Sequence, residues 1–534
     1  MEDSIVVNEE KEVKDSQKKR KKISFDIFII PIEFLFSIIC VIELFRYFTI
    51  KTYENYMPLK DLVFGILSGI VILGIIIYTL IKKRDNIGRL FLTFAIPLGI
   101  AYTLFILPLN VPDEGSHLLK ANDMMYGNMF ARKDNDGDYK VTVTKELENY
   151  SYRRFLSYKD VYKEITKSTN YDETVKLISP LQVYSQFLYI GVALGLKIAQ
   201  IFSLNIFIGI YIARMFNFII FLIFGYLSIK KIPFGKRLLA IYLCMPMMIH
   251  QACSCSCDAV LNAVLIYYIV QIIYIVFKET ELTRKDKIIL YVLTAFIAMF
   301  KFVYILVAGI LFMILFNKKI DEKNRIVIIL TTIIIGSMFT LGWYFISNQT
   351  KSVALETEKY NKMANIDAGK QMEYILNNKV EFVKIMFNEY IIYGPKYVAM
   401  AVGSELGWLE IKPNVSIIVL YLILLLYVTI SEKSKYRFSW WSKLWILAII
   451  CVIFGLVSIA MYLNATSVGA ERNGGVQGRY FTPIFFLVFL CLIRKDKELK
   501  IGNKDISIPI SVAFTISEIL NILTLICIFK FYLV

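Results

Sequence analysis

Five short runs in this sequence combine acids, bases, glycines and aromatic residues at spacings that chemistry can use. The first is Val111-Pro112-Asp113-Glu114-Gly115-Ser116-His117, in which two carboxylates directly follow a proline that stops the preceding helix. Adjacent carboxylates at an apolar boundary suit general-base work on a hydroxyl. The same acids also fit the start of a helix over 114–125, where negative charge is stabilising. His117 follows Glu114 by three residues, on the same helical face. A carboxylate–carboxylate–histidine set can hold a divalent cation near Asp113, Glu114 and His117. The chain has only two histidines, and the other is His250.

The second run leads from Met245-Pro246 through His250 to Asp258, which begins an apolar helix. An acid there either caps the helix or faces a polar cavity, because charge at membrane depth avoids lipid. Cys253, Cys255 and Cys257 point in different directions on a helix, so packing explains them better than a metal cage. The third run, Lys301-Phe302-Val303-Tyr304, places a lysine in the middle of an apolar stretch, where an anion such as phosphate would satisfy it. The fourth, Gly403-Ser404-Glu405-Leu406-Gly407-Trp408, offers Trp408 as a binding aromatic or an interfacial anchor. The fifth, Gly474-Gly475-Val476-Gln477-Gly478-Arg479-Tyr480-Phe481-Thr482-Pro483, adds glycines that admit close backbone approach and an arginine fork that matches phosphate oxygens.

The elements that must carry these residues are membrane helices. Of 534 residues, 57% are hydrophobic and 19% charged, against about 45–50% and about 25% in soluble domains. Apolar runs near 25–50, 61–81, 90–110, 181–204, 206–229, 238–253, 257–277, 288–316, 326–347, 415–431, 444–464, 480–493 and 506–533 predict an all-α polytopic protein with about 12–13 transmembrane helices. Two large insertions, 111–179 and 348–414, interrupt them. The net charge of +16 is not a nucleic-acid signature. Seven Lys/Arg lie in the first 22 residues, four in each of Lys82–Arg89, Lys230–Arg237, Lys278–Lys287, Lys318–Arg325 and Lys433–Lys443, and five in Arg494–Lys504. Short basic connections of this kind mark cytoplasmic loops. They put the N-terminus in the cytoplasm and both insertions, with all five runs, outside. Two parity problems remain. Either 181–204 or 206–229 does not fully span, and 288–316 must be a hairpin with its apex near Lys301. Residues 372–386 place Met372, Ile375, Leu376, Val380, Val383 and Met386 on one helical face, suited to a membrane surface or to the first insertion.

Taken together, these motifs resemble the bacterial DUF2142 membrane proteins, which are similar to the GT-C glycosyltransferases. Val111-Pro112-Asp113-Glu114 with His117, Pro246 with Asp258, Lys301 with Tyr304, Gly403 with Leu406-Gly407-Trp408, and Gly475 to Tyr480 with Pro483 carry the likeness. Gly115-Ser116 and Phe302 depart from the pattern, where Pro-Ala and Pro are usual. The likeness covers roughly residues 95–493 and implies a GT-C-like domain (90–493); outside it lie the basic cytoplasmic tail (1–24), two additional helices (25–89) and a final loop and helix (494–534). It also implies a transferase in the bacterial cell membrane, moving a sugar with inversion from a polyprenyl-phosphate-linked donor to an extracytoplasmic cell-envelope glycan. Asp113 or Glu114 would be the base. His117, Asp258, Lys301, Tyr304, Trp408, Gln477, Arg479 and Tyr480 would bind substrate or lipid phosphate, with Lys301 and Arg479 free of local acid partners. The competing expectations are a transporter or flippase of lipid-linked glycans and a non-catalytic membrane scaffold. No Walker A, G-x-G-x-x-G, H-E-x-x-H or G-x-S-x-G pattern supports nucleotide-driven or hydrolase chemistry.

Overall fold

The computed structural model describes residues 29–47, 59–83, 85–150, 154–179, 181, 183–349, 352–495, 500–501, 504–505 and 508–533; the basic tail expected over 1–24 lies outside them. The helices of the first half are α1 (29–47), α2 (Leu59–Lys82), α3 (Ile87–Phe105), α4 (Glu114–Met125), α5 (Tyr158–Ile165), α6 (Ile190–Ile201), α7 (Ile206–Lys231), α8 (Lys236–Leu243), α9 (Pro246–Ala252) and α10 (Cys257–Val276). Those of the second half are α11 (Arg284–Phe300), α12 (Glu322–Gln349), α13 (Leu355–Met363), α14 (Ala368–Asn377), α15 (Lys379–Val402), α16 (Val415–Ser431), α17 (Trp440–Asn464), α18 (Thr482–Leu492) and α19 (Ile510–Leu533). The protein is an all-α polytopic membrane protein. Among the described residues, seven helices (α2, α3, α7, α10, α12, α17, α19) are long and apolar enough to cross a bilayer, and four shorter apolar helices accompany them. The central post is α10, 94% of whose apolar window is buried, whereas only 22% of the window is buried in each of α2, α12 and α17.

The two segments that raise the parity problems differ in form from plain spans. The segment expected as a span over 181–204 forms only the apolar piece Gln186–Ile201, while α7 is a full 26-residue helix. The turn between α6 and α7 is tied to the first insertion: Asn205 donates to the carbonyls of Glu164 and Lys167, and the Tyr171 hydroxyl to that of Leu204. The 288–316 stretch is the expected hairpin. Its first arm is α11, Lys301 is the extended apex, and its second arm is a 3₁₀ helix, Phe302–Phe316. The second arm returns to its origin, where Asn317 donates to the carbonyls of Val276 and Lys278. Fifteen residues wound at about 2.0 Å per residue cover about 30 Å, a bilayer's hydrocarbon width that an α-helix of that length would not reach.

Two expectations are corrected. The span expected over 238–253 is broken into α8 and α9, because Met245 adopts the extended dihedrals that a residue before proline favours. The 348–414 insertion is not a loop but three helices, of which α15 runs 24 residues. The apolar face expected over 372–386 is split at Asn378 between α14 and α15, and Met372, Leu376, Val380 and Val383 stay exposed, uncovered by the first insertion.

The basic connections gather at one end. Lys435 pairs with Glu279, Lys287 reaches Asn324, the Glu432 carboxylate accepts from the backbone of Arg237 and Leu238, and Ser434 bridges to Lys495. The insertions lie at the opposite end. There a small antiparallel sheet, β1 (Arg132–Lys133), β2 (Tyr139–Thr144) and β3 (Thr174–Leu177), packs on α4 through Asn122 and Asp123, whose side chains accept the N–H groups of Thr144 and Thr142.

Candidate functional site

The site is built on the turn that joins α3 to α4. Its carbonyls are held from every side. Arg214 of α7 donates to those of Thr103, Ile106 and Leu107, the Tyr158 hydroxyl to that of Phe105, the Trp408 indole to that of Leu109, and Arg479 to that of Pro112. Trp408 is therefore a strut of this turn rather than a free anchor. So constrained, the turn carries two non-glycine residues in the left-handed region, Leu109 and Asp113. Such residues persist only where the surroundings over-determine them, as they do around functional groups.

The two adjacent acids have opposite fates. Glu114 is fully buried and bound as a fork: Arg214 Nε donates to Oε1 at 2.9 Å and Nη2 to Oε2 at 2.6 Å. The backbone N–H of Cys255 donates to Oε1 as well. Every oxygen of Glu114 is thus committed, and its part is to lock α4 to α7. Asp113 occupies the N-cap position of α4 but makes no side-chain cap. Its side chain is 54% exposed and accepts from Arg479 Nη2 at 3.1 Å. Of the two expected bases, only Asp113 is accessible to a substrate hydroxyl.

Behind Asp113 lies a buried ionic cluster. Ser256, not Asp258, caps α10, which leaves the Asp258 carboxylate free to pair with cations. Lys301 Nζ donates to its Oδ1 at 2.6 Å, and Arg479 Nη1 stands 3.8 Å from its Oδ2. The expectation that Lys301 and Arg479 lack acid partners is therefore corrected: Asp258, 43 residues from Lys301 in sequence, serves both. Aromatic residues surround the cations. The Lys301 ammonium lies 5.2 Å from the Tyr184 ring and 5.8 Å from the Tyr480 ring, and the Tyr304 hydroxyl donates to the Tyr480 carbonyl at 2.6 Å. Two buried polar atoms beside this cluster have no partner, Arg479 Nε and Gln477 Oε1. The loop that carries them sits directly on α15, where a Cβ on Gly478 would lie 2.3 Å from the Tyr397 carbonyl oxygen.

His117 is buried, with Nδ1 2.7 Å from the Tyr189 hydroxyl. Burial lowers its pKa to about 3, so the ring is neutral at ordinary pH. Lys120, one turn further along α4, donates to the carbonyls of Leu181 and Tyr184 and so holds Tyr184 over Lys301. The divalent cation expected near Asp113, Glu114 and His117 does not fit these residues. Asp113 turns to Arg479, Glu114 to Arg214 and His117 to Tyr189, and among the described residues no cluster of His, Cys, Asp or Glu could hold a metal. Cys253, Cys255 and Cys257 are buried, and their thiols point to three separate acceptors, as packing residues would.

Sequence reasoning missed Arg214, the partner that removes Glu114 from chemistry. Its signal was present: a single arginine inside the apolar run of α7, at a depth where charge needs a partner. His250 accepts from the Gly407 N–H and ties the second run to the fourth. The residues of all five runs thus join one polar centre and the turn that supports it.

Fold and site together define a polytopic helical membrane protein with a charge-balanced polar centre at the end that carries the insertions. A family model described as a predicted membrane protein (DUF2142) matches residues 96–488, and the chain belongs to that family. No curated protein and no solved structure matches it. Helices α1 and α2 precede the matched region and α19 follows it. Yet α19 is part of the core, with Phe514 stacked on Phe94 and Asn521 accepting from the Tyr102 hydroxyl.

Proposed function

We propose that this protein is a GT-C-type glycosyltransferase of the bacterial cytoplasmic membrane. It moves a sugar from a polyprenyl-phosphate-linked donor to a cell-envelope glycan outside that membrane, with the N-terminus in the cytoplasm. The observation that carries the reading is the arrangement of Asp113 against Arg479: an accessible carboxylate on a rigid turn, touching a buried guanidinium that shares Asp258 with Lys301.

The proposed reaction assigns a part to each of these groups. Asp113 takes the proton of an acceptor hydroxyl as its oxygen forms a bond to the anomeric carbon. The bond from that carbon to the phosphate oxygen breaks on the opposite side, inverting the centre, and its electron pair goes to the phosphate. Arg479 and Lys301 stabilise that charge in a water-poor setting, where such contacts are worth most. Arg479 Nε, buried and unpartnered, offers a donor for one phosphate oxygen. Tyr184 and Tyr480 flank the same position as stacking faces for the sugar. Structural analysis of envelope glycans from a deletion strain tests the reading: loss of one sugar from an otherwise intact glycan supports it and names both substrates. Unchanged glycans would refute it. Accumulation of lipid-linked sugar on the cytoplasmic leaflet would instead favour a flippase.

A further inference from the structure

At the end that carries the basic connections, cations commonly find a partner within the protein. Lys435 pairs with Glu279, Lys287 donates to Asn324, and Arg237 donates to the carbonyl of Ile508. Lys231, the last residue of α7, is different: among the described residues no hydrogen bond or ion pair engages its ammonium. It stands instead over two tyrosine rings of α10, 4.9 Å from the Tyr274 centroid and 5.8 Å from that of Tyr267. Lys278, just past the end of α10, approaches Tyr274 as well, at 5.3 Å. The acid of this group, Asp286, is already committed to Lys278 and to the Thr283 hydroxyl at the start of α11. Lys285 adds a third ammonium within electrostatic reach of Lys231. Three lysines thus share one carboxylate, and the excess positive charge favours an anion among them. An apolar strip leads away from these cations. Leu227 and Phe224 precede Lys231 by one and two turns on the same face of α7, Leu227 exposed and Phe224 packed edge-on against Tyr267. Cations between membrane helices, with an apolar strip running from them along the helices, match a phosphate headgroup and its acyl chain.

We infer that Lys231, Lys278 and Lys285 bind the phosphate of an anionic phospholipid in the leaflet at this end, with an acyl chain along Leu227 and Tyr267. The site is independent of the transferase reading, because the polar centre lies at the opposite end of the helices. Lys231 and Lys285 are the positions to vary; Lys278 is left intact because Asp286 depends on it. Lys230, whose ammonium lies 5.2 Å from the Tyr226 ring, supplies the control, a neighbouring cation on a different ring.

The full chain, delipidated in a neutral detergent, would be titrated with fluorescent phosphatidylglycerol and, separately, with fluorescent phosphatidylcholine. Lys231→Gln should weaken phosphatidylglycerol binding about fivefold, and Lys231→Gln combined with Lys285→Gln about thirtyfold. Phosphatidylcholine binding should not change in either. Lys231→Arg, which keeps the charge, should retain most of the affinity, and Lys230→Gln should behave as wild type. Wild-type phosphatidylglycerol binding by the double variant would overturn the site. An equal loss of affinity in Lys230→Gln would overturn it too, by showing diffuse attraction to the whole basic end. Displacement of the lipid by millimolar glycerol phosphate would assign the lysines to a soluble anion and overturn the phospholipid.

Discussion

At the scale of single residues, the adjacent acids show how one peptide bond separates two roles. Glu114 is buried with Arg214 as a bidentate pair, and removing one partner of such a pair strands the other charge. Glu114→Gln should therefore lower folding stability by about 3–5 kcal/mol, read as a lower unfolding temperature in detergent and reduced abundance in membranes. An unaltered unfolding temperature would mean that Arg214 does not depend on Glu114. The sequence alone made both acids visible but could not divide their roles. That division depends on Arg214, 100 residues away, and on a left-handed turn that no local pattern announces. In the same way Asp258 read equally well as a cap or a cavity residue until Ser256 was seen to do the capping.

At the scale of elements, apolar length and charge bias were strong guides, and breaks within apolar runs were not. The hairpin at Lys301 was legible because two basic flanks required it. The division of 238–253 into α8 and α9 was also written in the sequence, at Pro246, but hydropathy masks a proline inside an apolar run. The 3₁₀ winding of Phe302–Phe316 has no signal in composition, since every residue there also suits an α-helix. The α6–α7 pair is held by close backbone contact: a Cβ on Gly195 would lie 2.4 Å from the Cα of Ala213. Gly195→Val should thus push the two helices apart, with a cost of about 1–3 kcal/mol or more. Faster proteolysis of the first insertion, which hangs on the α6–α7 turn, would report it. Wild-type resistance would show that the pair tolerates separation.

For the whole molecule, the account requires two chemically distinct ends, basic connections in the cytoplasm and the polar centre outside. Leu156 and Lys359 are exposed on the insertions, and Lys83 and Lys435 lie on connections at the opposite end. Cysteines placed at Leu156 and Lys359 should react with an impermeant thiol reagent in intact cells, and cysteines at Lys83 and Lys435 only after lysis. Labelling of Lys83→Cys in intact cells would place the site in the cytoplasm. The most direct test of the central claim is envelope glycan structure in a strain whose only copy carries Asp113→Asn. This change keeps size and most hydrogen bonding but removes the proton acceptor. A lost general base commonly slows transfer about 10²–10⁴-fold, so the account predicts glycans lacking the same sugar as in the deletion strain, with normal protein abundance and undiminished polyprenyl phosphate binding. Glycans decorated at the wild-type level would contradict it.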